Sequence, residues 1–183
     1  MHYSIKRLNR DISSDDSIIS LFAKGKLKEK NDSELIRLTV FSGLSVDIIF
    51  NDRAASQLKN SGSMRLIRNK DVAESILQYW NNQIWINQLH ERFEKIRMEH
   101  HELSYKTFSW YKFEYESSGG RDSAVLHAQA KAIINEQHLI EFVNVVSNLY
   151  NAARTQYLPH LEDQLQLATQ LVSLIQKEYG LPD

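Results

Sequence analysis

The clearest hydrophobic pattern in the sequence lies in its C-terminal quarter. Apolar or aromatic residues recur there in steps of three and four, a spacing that places them on one face of a helix. The steps keep their phase across Pro159. We therefore predict one long helix over residues 136–179, kinked at the proline because proline removes a backbone hydrogen bond, with a break into two helices as the alternative. The stripe consists of Leu139, Val143, Val146, Tyr150, Ala153, Tyr157, Leu161, Leu165, Ala168, Val172, Ile175 and Tyr179.

A second long pattern begins at Asp71 and predicts a helix over about residues 71–115. Its main stripe repeats every seven residues, as in helices that pack along their length. The stripe consists of Val72, Tyr79, Ile86 and Phe93, with Leu89 and Ile96 at the intermediate position. A second apolar strip predicts that the first half of the helix is buried on more than one side. That strip consists of Ile76, Leu77, Trp80 and Ile84.

The N-terminal third of the chain has shorter patterns. Apolar steps of three and four predict a weak amphipathic helix over residues 1–14, and Ser13-Ser14-Asp15-Asp16 is typical of the start of another helix. Ser33 can cap a third helix that runs through Phe41, although residues 39–41 also suit a strand. Residues 43–50 are ambiguous, and we assign them to a helix.

The stretch from Asn51 to Trp80 predicts two helices separated by a glycine break. Asp52 can cap a short helix, and the cluster Asn60-Ser61-Gly62-Ser63 ends it. Gly62 suits the left-handed position after a helix end, where a Cβ would clash. Asn69-Lys70-Asp71 then offers a new cap, so a helix is expected to restart near Lys70 or Asp71.

The same break contains the residues of a candidate anion or interaction site, Ser61, Gly62, Arg65 and Arg68. A turn with two arginines at a helix N-terminus can bind an anion through backbone amides and positive charge. The sequence lacks a phosphate-loop motif, however, and helix-turn-helix corners with solvated arginines are common connections. The corner is therefore the favoured interpretation.

This stretch resembles a family of uncharacterised bacterial proteins that have one N-terminal transmembrane helix and a helical extracytoplasmic domain. The resembling residues are Phe50-Asn51-Asp52-Arg53, Leu58-Lys59-Asn60-Ser61-Gly62, Leu66-Ile67-Arg68-Asn69-Lys70 and Ile76-Leu77-Gln78-Tyr79-Trp80. The resemblance brings no catalytic residues. It implies that residues 1–183 are the soluble part of a longer membrane-anchored protein, which would be periplasmic or otherwise extracytoplasmic.

The two long stripes need partners, and a turn between them lets them pack antiparallel. Ser117-Ser118-Gly119-Gly120 is the main predicted turn, followed by an alanine-rich helix over residues 124–134. We therefore predict an all-α protein, an elongated antiparallel helical bundle with two long helices over about 71–115 and 136–179 and shorter N-terminal helices. Residues 1–183 are expected to form a single domain.

The amino-acid composition excludes several kinds of site and binding partner. The formal net charge of −1 at pH 7 gives no general attraction to nucleic acid or to an anionic membrane. The chain contains no cysteine, which excludes disulfides, thiolate zinc sites and cysteine nucleophiles. No window approaches 18 apolar residues, so contact with a membrane would require a segment outside this sequence.

One histidine and glutamate cluster could in principle hold a metal. Neighbouring residues on a helix point about 100° apart, so His100 and His101 cannot both face one ion. No zinc-protease or di-iron spacing is present, and a solvated charged face is the favoured interpretation. We expect no cofactor. The cluster consists of His90, Glu91, Glu94, Glu99, His100, His101 and Glu102.

Two further groups are weaker candidates for chemistry. The aromatic stretch Tyr105 to Tyr115 could stack a base or a sugar, but aromatic residues more often fill a core. Asp122, Ser123 and His127 contain the residue types of a catalytic triad but lack a nucleophile elbow or an oxyanion loop.

We expect a non-enzymatic extracytoplasmic interaction or sensing module with a protein partner or a second copy of itself. The alternative is a soluble enzyme or a binder of a small molecule or metal. It would use the cluster from His90 to Glu102 or the aromatic stretch from Tyr105 to Tyr115.

Overall fold

The computed structural model describes residues 1–30, 32–43, 48, 50, 53–109, 133 and 135–181. This part of the chain forms α1 His2–Ala23, α2 Asp32–Ser42, α3 Arg53–Asn60, α4 Lys70–Thr107, α5 Leu139–Ala152 and α6 Leu158–Tyr179. Short 3-10 helices lie at Leu27–Glu29 and Ser63–Leu66. The predicted all-α class is confirmed. No helix in the described ranges is long and apolar enough to cross a membrane.

The two long helical arms pack antiparallel, as predicted. The Asn69 side-chain amide donates to Glu178 at one end of α4, over 2.7 Å. Near the other end, the His100 and Phe142 ring centroids are 5.0 Å apart. At 1.5 Å per residue, the 38 residues of α4 extend over about 57 Å. Helix α1 packs against α5 and α6, and α2 packs against α1.

The apolar core consists of two clusters along this assembly. The first contains buried side chains from α1, α4, α5, the turn after it and α6: Leu8, Ile86, Leu89, Phe93, Ile96, Val145, Leu149, Ala153, Tyr157 and Leu161. The second lies nearer the N-terminus of α5: Ile18, Leu27, Leu35, Ile36, Leu38, Phe108, Leu139, Phe142, Val143 and Val146. Both predicted stripes contribute, because burial of apolar area is the main drive for packing.

Helix α4 begins where the sequence predicts and is packed along its predicted main stripe. The Asn69 side chain accepts hydrogen bonds from the amides of Asp71 and Val72, which caps the first turn. The predicted second buried strip is wrong in part. Leu77 is 47% exposed and Ile84 is 51% exposed. The first half of α4 therefore has an uncovered apolar side.

The predicted end of α4 near residue 115 is also wrong, because the helix ends at Thr107. Phe108 has an extended backbone, is buried, and forms an isolated antiparallel bridge with Ile133. A β-branched and an aromatic residue side by side suit this extended geometry better than a helix interior.

The C-terminal arm is helical from Leu139 to Tyr179 with one irregularity just before Pro159. Residues Ala153–Tyr157 form a π-helical turn, and the Leu158 amide donates to the Ala153 carbonyl five residues back. Proline has no amide hydrogen, and a wider turn is a known way to accommodate such a break. The single helical path through Pro159 is confirmed, although it begins at residue 139 rather than 136. Gly180 ends α6 in the left-handed conformation.

The predicted break at residues 13–16 is wrong, because α1 continues through them for 22 residues. The Ser14 hydroxyl donates to the Arg10 carbonyl, so it is used inside the helix rather than as a cap. The predicted α2 is confirmed. The helix predicted over residues 43–50 is wrong where it is described, because Gly43, Ile48 and Phe50 are not helical. The helix predicted over 124–134 is likewise wrong at Ile133, which forms the bridge to Phe108. The interpretations of residues 44–47, 49, 51–52, 110–132 and 134, including the turn at 117–120, lie outside the described residues.

Candidate functional site

Two long uncharged segments lie side by side in α4 and α6. Helix α4 has no Asp, Glu, Lys or Arg from residue 75 to 90, and α6 has none from 164 to 176. These segments face each other across the antiparallel pair, where Gln164 Nε2 donates to the Tyr79 carbonyl over 3.3 Å. We call the surface formed by residues 75–90 and 164–176 the uncharged face.

A hydrogen-bond network fixes the two helices at the uncharged face. Asn82 Nδ2 donates to the His160 carbonyl over 3.1 Å and to Gln164 Oε1 over 2.9 Å. Gln164 is fully buried, and its own amide reaches Tyr79. Both polar ends of this buried side chain are therefore satisfied, as a buried amide requires.

His160 continues the network to Trp85. The Trp85 indole N–H donates to His160 Nε2 over 2.8 Å, and the rings meet edge to face at a centroid distance of 6.0 Å. Because an indole can only donate, Nε2 must accept. His160 Nδ1 then carries the hydrogen and donates to Asn82 Oδ1 over 3.2 Å. This arrangement belongs to a neutral imidazole, so the network adds no charge to the face.

A groove of about 480 Å³ runs beside this network between α4 and α6. Its lining is mostly amide side chains, which can both donate and accept hydrogen bonds. The lining residues are Gln78, Asn81, Asn82, His160, Asp163, Gln166, Leu167 and Gln170. Asp163 is the one carboxylate in this lining, and the centres of protein interfaces are likewise depleted in charge.

Apolar side chains that do not line this groove are also left exposed on the two uncharged segments. Leu77, Ile84 and Trp85 are each about half exposed on α4. Helix α6 has no buried residue after Gln164, and Val172 is 55% exposed. Single exposed apolar residues are common, but several on adjacent uncharged segments indicate an interaction surface.

A second unusual site is a buried polar cluster where α1, α2 and α4 meet. Asp11, Asp15, Ser42 and His100 are each no more than 3% exposed. The Ser42 hydroxyl lies 3.1 Å from His100 Nε2 and also hydrogen-bonds the Asp15 carboxyl. In the described part of the chain, both Asp11 oxygens, Asp15 Oδ1 and His100 Nδ1 have no hydrogen-bond partner.

The cluster contains serine, histidine and aspartate but lacks the connections of a catalytic triad. In a triad the carboxylate holds His Nδ1 while Nε2 faces the serine. Here Asp15 contacts Ser42 instead, and His100 Nδ1 is unpaired among the described residues. Ser42 is also buried, so a substrate would have no access to it in this conformation.

Burial shifts the titration of these groups. It raises the pKa of Asp11 to about 7, against the opposing charges of Arg7 and Arg10. Burial also raises the pKa of Asp15 well above its ordinary value, although the Ser42 hydrogen bond opposes this. For His100, burial lowers the pKa to about 3. Neutral forms are therefore favoured in the interior.

The predicted site at Ser61, Gly62, Arg65 and Arg68 is a tight corner. Gly62 has the predicted left-handed backbone, with φ of 69°. The Arg65 amide donates to the Gly62 carbonyl, and the Ser63 amide donates to Ser61 Oγ. These two amides already have partners inside the corner. Arg65 and Arg68 are exposed, in keeping with solvated arginines.

The predicted histidine and glutamate cluster is divided among separate contacts. His90 Nδ1 lies 3.0 Å from the Tyr157 hydroxyl, and His100 is buried against Ser42. Glu102 pairs with Lys106. The described residues contain no group of three His, Asp or Glu side chains that could hold a metal ion.

The aromatic stretch is described only from Tyr105 to Ser109. Tyr105 is exposed, whereas Phe108 is buried and packs on Phe142 with ring centroids 4.9 Å apart. Trp110 to Tyr115, and the candidate residues Asp122, Ser123 and His127, lie outside the described residues.

Sequence reasoning named His100 only as a candidate metal ligand and predicted that Leu77 and Ile84 are buried. It missed the roles of the other residues in both sites. Asp11 and Asp15 lie in phase with Leu8 and Ile18 on one helix face, so their spacing predicts burial of polar residues. The uncharged segments of α4 and α6 can also be identified from the sequence alone. Comparisons of the chain with models of known protein families, with curated proteins and with solved structures find no match.

Proposed function

We propose that this protein is a non-enzymatic interaction module that pairs with a second copy of itself through the uncharged face. The observation that carries the proposal is the set of half-exposed apolar side chains on two adjacent helical segments without charged residues. Leu77 and Ile84 lie one heptad apart on α4, and Val172 lies on the neighbouring α6. Apolar positions at this spacing are typical of helices that pack lengthwise against others.

A second copy fits this surface because the surface requires no oppositely charged partner. In a two-fold pair the same patch meets itself, so a charged patch would repel its copy whereas an uncharged one does not. Pairing two α4–α6 units would place four helices around a common apolar centre. Four-helix packing of this kind buries side chains that a two-helix layer leaves in water.

Burial of these side chains contributes free energy to the pairing. Full burial of one exposed leucine, isoleucine or valine side chain is worth about 1.5–3 kcal/mol. Because Leu77, Ile84 and Val172 are already about half buried, each contributes about half of that. Several such side chains per copy can offset the loss of free motion on association, which is several kcal/mol or more. The groove amides can add hydrogen bonds at the rim without introducing charge.

The proposed location is extracytoplasmic, on a membrane-anchored longer protein. This part of the proposal rests on the resemblance of residues 50–80 to membrane-anchored bacterial proteins. A paired extracytoplasmic module could bring two anchored chains together.

Sedimentation equilibrium of the purified chain tests the pairing. The wild type is expected to show a monomer–dimer equilibrium, and Ile84→Glu and Val172→Glu are expected to weaken dimerisation at least tenfold, because each buries a charge in the interface. Ile140→Glu is the matched control, since Ile140 is 59% exposed on α5, away from the face. A wild type that stays monomeric, or a control that weakens pairing as much as the other two, would refute the proposal.

A further inference from the structure

The buried polar cluster connects three helices through one side chain. Ser42 is the last residue of α2, and its hydroxyl contacts Asp15 of α1 and His100 of α4. The other end of α2 is anchored differently, by the buried apolar side chains of Leu35, Ile36 and Leu38. The two ends of α2 therefore have different kinds of attachment, apolar at the start and polar at the end.

The single Ser42 proton makes the cluster sensitive to the charge on Asp15. When Asp15 is protonated, it donates to Ser42, and the hydroxyl is free to donate to His100 Nε2. His100 then carries its hydrogen on Nδ1. When Asp15 is ionised, Ser42 donates to the carboxylate and must accept from Nε2, so the hydrogen of His100 moves to that nitrogen. The net change is one proton lost from Asp15 to solvent.

The ionised state is costly in this closed arrangement. Asp15 is 2% exposed, and only the Ser42 hydroxyl is a hydrogen-bond donor to it in the described part of the chain. A buried carboxylate without further donors or a cation loses much of its solvation energy. Release of the end of α2 would admit water to the carboxylate and restore that energy.

We propose that Asp15, Ser42 and His100 form a proton-controlled latch, which holds the C-terminal end of α2 against α1 and α4 while Asp15 is protonated and releases it when Asp15 ionises. The uncharged state of the cluster is the closed state. Opening separates Ser42 from His100 and exposes Gly43, which is buried in contact with the His100 ring.

The surrounding groups fix the direction of this response. Asp11 on α1 disfavours a charge on Asp15, while Arg97 and His101 on α4 disfavour a charge on His100. Phe142 of α5 adds only an apolar ring beside His100. Three further charged groups act one step away: Arg7 and Arg10 act on Asp11, and Glu94 acts on His101, which Arg97 also affects.

The sign of the pH response follows from the directions of the shifts. The pKa of Asp15 is raised in the closed state, so the closed state is favoured at low pH and loses stability as pH rises. The pKa of His100 is lowered to about 3, so His100 opposes closure only as pH falls below its ordinary value of 6.5. Near neutral pH and above, the carboxyls dominate and the latch opens with rising pH.

Hydrogen exchange of α2, measured by mass spectrometry relative to α5 at the same pH, tests the latch. The intrinsic pH dependence of amide exchange affects both helices alike, so the ratio of the two exchange rates removes it. In the wild type, α2 opening relative to α5 is expected to rise as pH increases above the ordinary carboxyl pKa, by up to about tenfold per pH unit, the factor for one proton. Asp15→Asn mimics the protonated carboxyl and is expected to abolish this rise. Asp16→Asn, at the exposed neighbouring position, is the matched control.

Three results would overturn the latch. The first is a wild-type ratio that does not change with pH. The second is an Asp15→Asn variant whose exchange ratio depends on pH in the same way as that of Asp16→Asn. The third is an Asp15→Asn variant in which the exchange of α2 and of α5 changes equally, since that indicates a change in global stability alone.

The imidazole ¹⁵N resonances of His100 give an independent readout on the unmodified protein. The latch requires the Nδ1–H form at low pH, where Asp15 is protonated, and also in Asp15→Asn. An Nε2–H form under those conditions would contradict the proton arrangement, even if the exchange result agreed with it.

Discussion

Gly43 lies so close to the His100 imidazole that a Cβ at this glycine would be 2.6 Å from both Cε1 and Nδ1 of the ring. The ring has little room to move, because Phe142 packs beside it. Gly43→Ala is therefore expected to displace the end of α2 or the imidazole and to weaken the Ser42–His100 contact. Overpacking of this kind reduces the free energy of unfolding by about 1–3 kcal/mol, measurable by urea denaturation.

A double-mutant cycle with His100→Ala provides the control for this prediction. If the ring is what the new methyl group meets, Gly43→Ala has little further effect once the ring has been removed. The two losses then sum to more than the loss in the double variant. Additive losses would show that the glycine is required for a different reason.

Asp11 is expected to make the protein less stable as pH rises. Its pKa is raised from 3.8 to about 7, chiefly by burial, while Arg7 and Arg10 oppose the shift. A raised carboxyl pKa means stability that is present below pH 3.8 and lost as pH increases through about 7. About three pKa units correspond to an upper figure of ~4 kcal/mol at pH 8.

Asp11→Asn tests this relation, because asparagine resembles the protonated carboxyl at every pH. The free energy of unfolding of the variant should exceed that of the wild type at pH 8 and match it near pH 4. The difference between the two proteins cancels the opposite contribution of His100, whose lowered pKa reduces stability as pH falls below 6.5. A difference that is constant from pH 4 to pH 8 would contradict the prediction.

Asn82 is expected to be the central residue of the α4–α6 network. Its replacement by alanine leaves Gln164 Oε1 without its Asn82 donor and His160 Nδ1 without its acceptor. Loss of partners for buried polar groups costs about 1–3 kcal/mol. Asn81→Ala changes the exposed neighbour and is the matched control, with an expected effect within about 0.5 kcal/mol. Equal losses of stability in the two variants would show that the Asn82 hydrogen bonds do not stabilise the packing of α4 against α6.

The two long helices could be predicted because the residues that define them are close in sequence. Val72, Ile86 and Phe93 repeat at a fixed interval, and the structure buries all three. Helix starts and ends were also local features, since Asn69 caps the turn that it begins and Gly180 closes the helix that it follows.

The candidate sites depend on contacts that sequence-local rules do not detect. Ser14 and Asp15 are typical helix-starting residues, but both are buried inside α1. The Ser42–His100 pair beside Asp15 joins residues 58 positions apart in the chain. Similarly, Leu77 and Ile84 have the spacing of core residues. Whether they are buried depends on the presence of another helix, which no pattern within α4 can reveal.

The most direct test of the proposed pairing is a distance between two copies. The chain has no cysteine, so Ser173→Cys introduces a single labelling site on the uncharged face. Asn144→Cys, exposed on α5, serves as the matched position away from it. With one spin label per chain, every dipolar signal arises between copies. Pairing through the uncharged face predicts one short, narrowly distributed distance for Ser173→Cys and a longer one for Asn144→Cys. The absence of a dipolar signal at Ser173→Cys, or a shorter distance at Asn144→Cys, would contradict it.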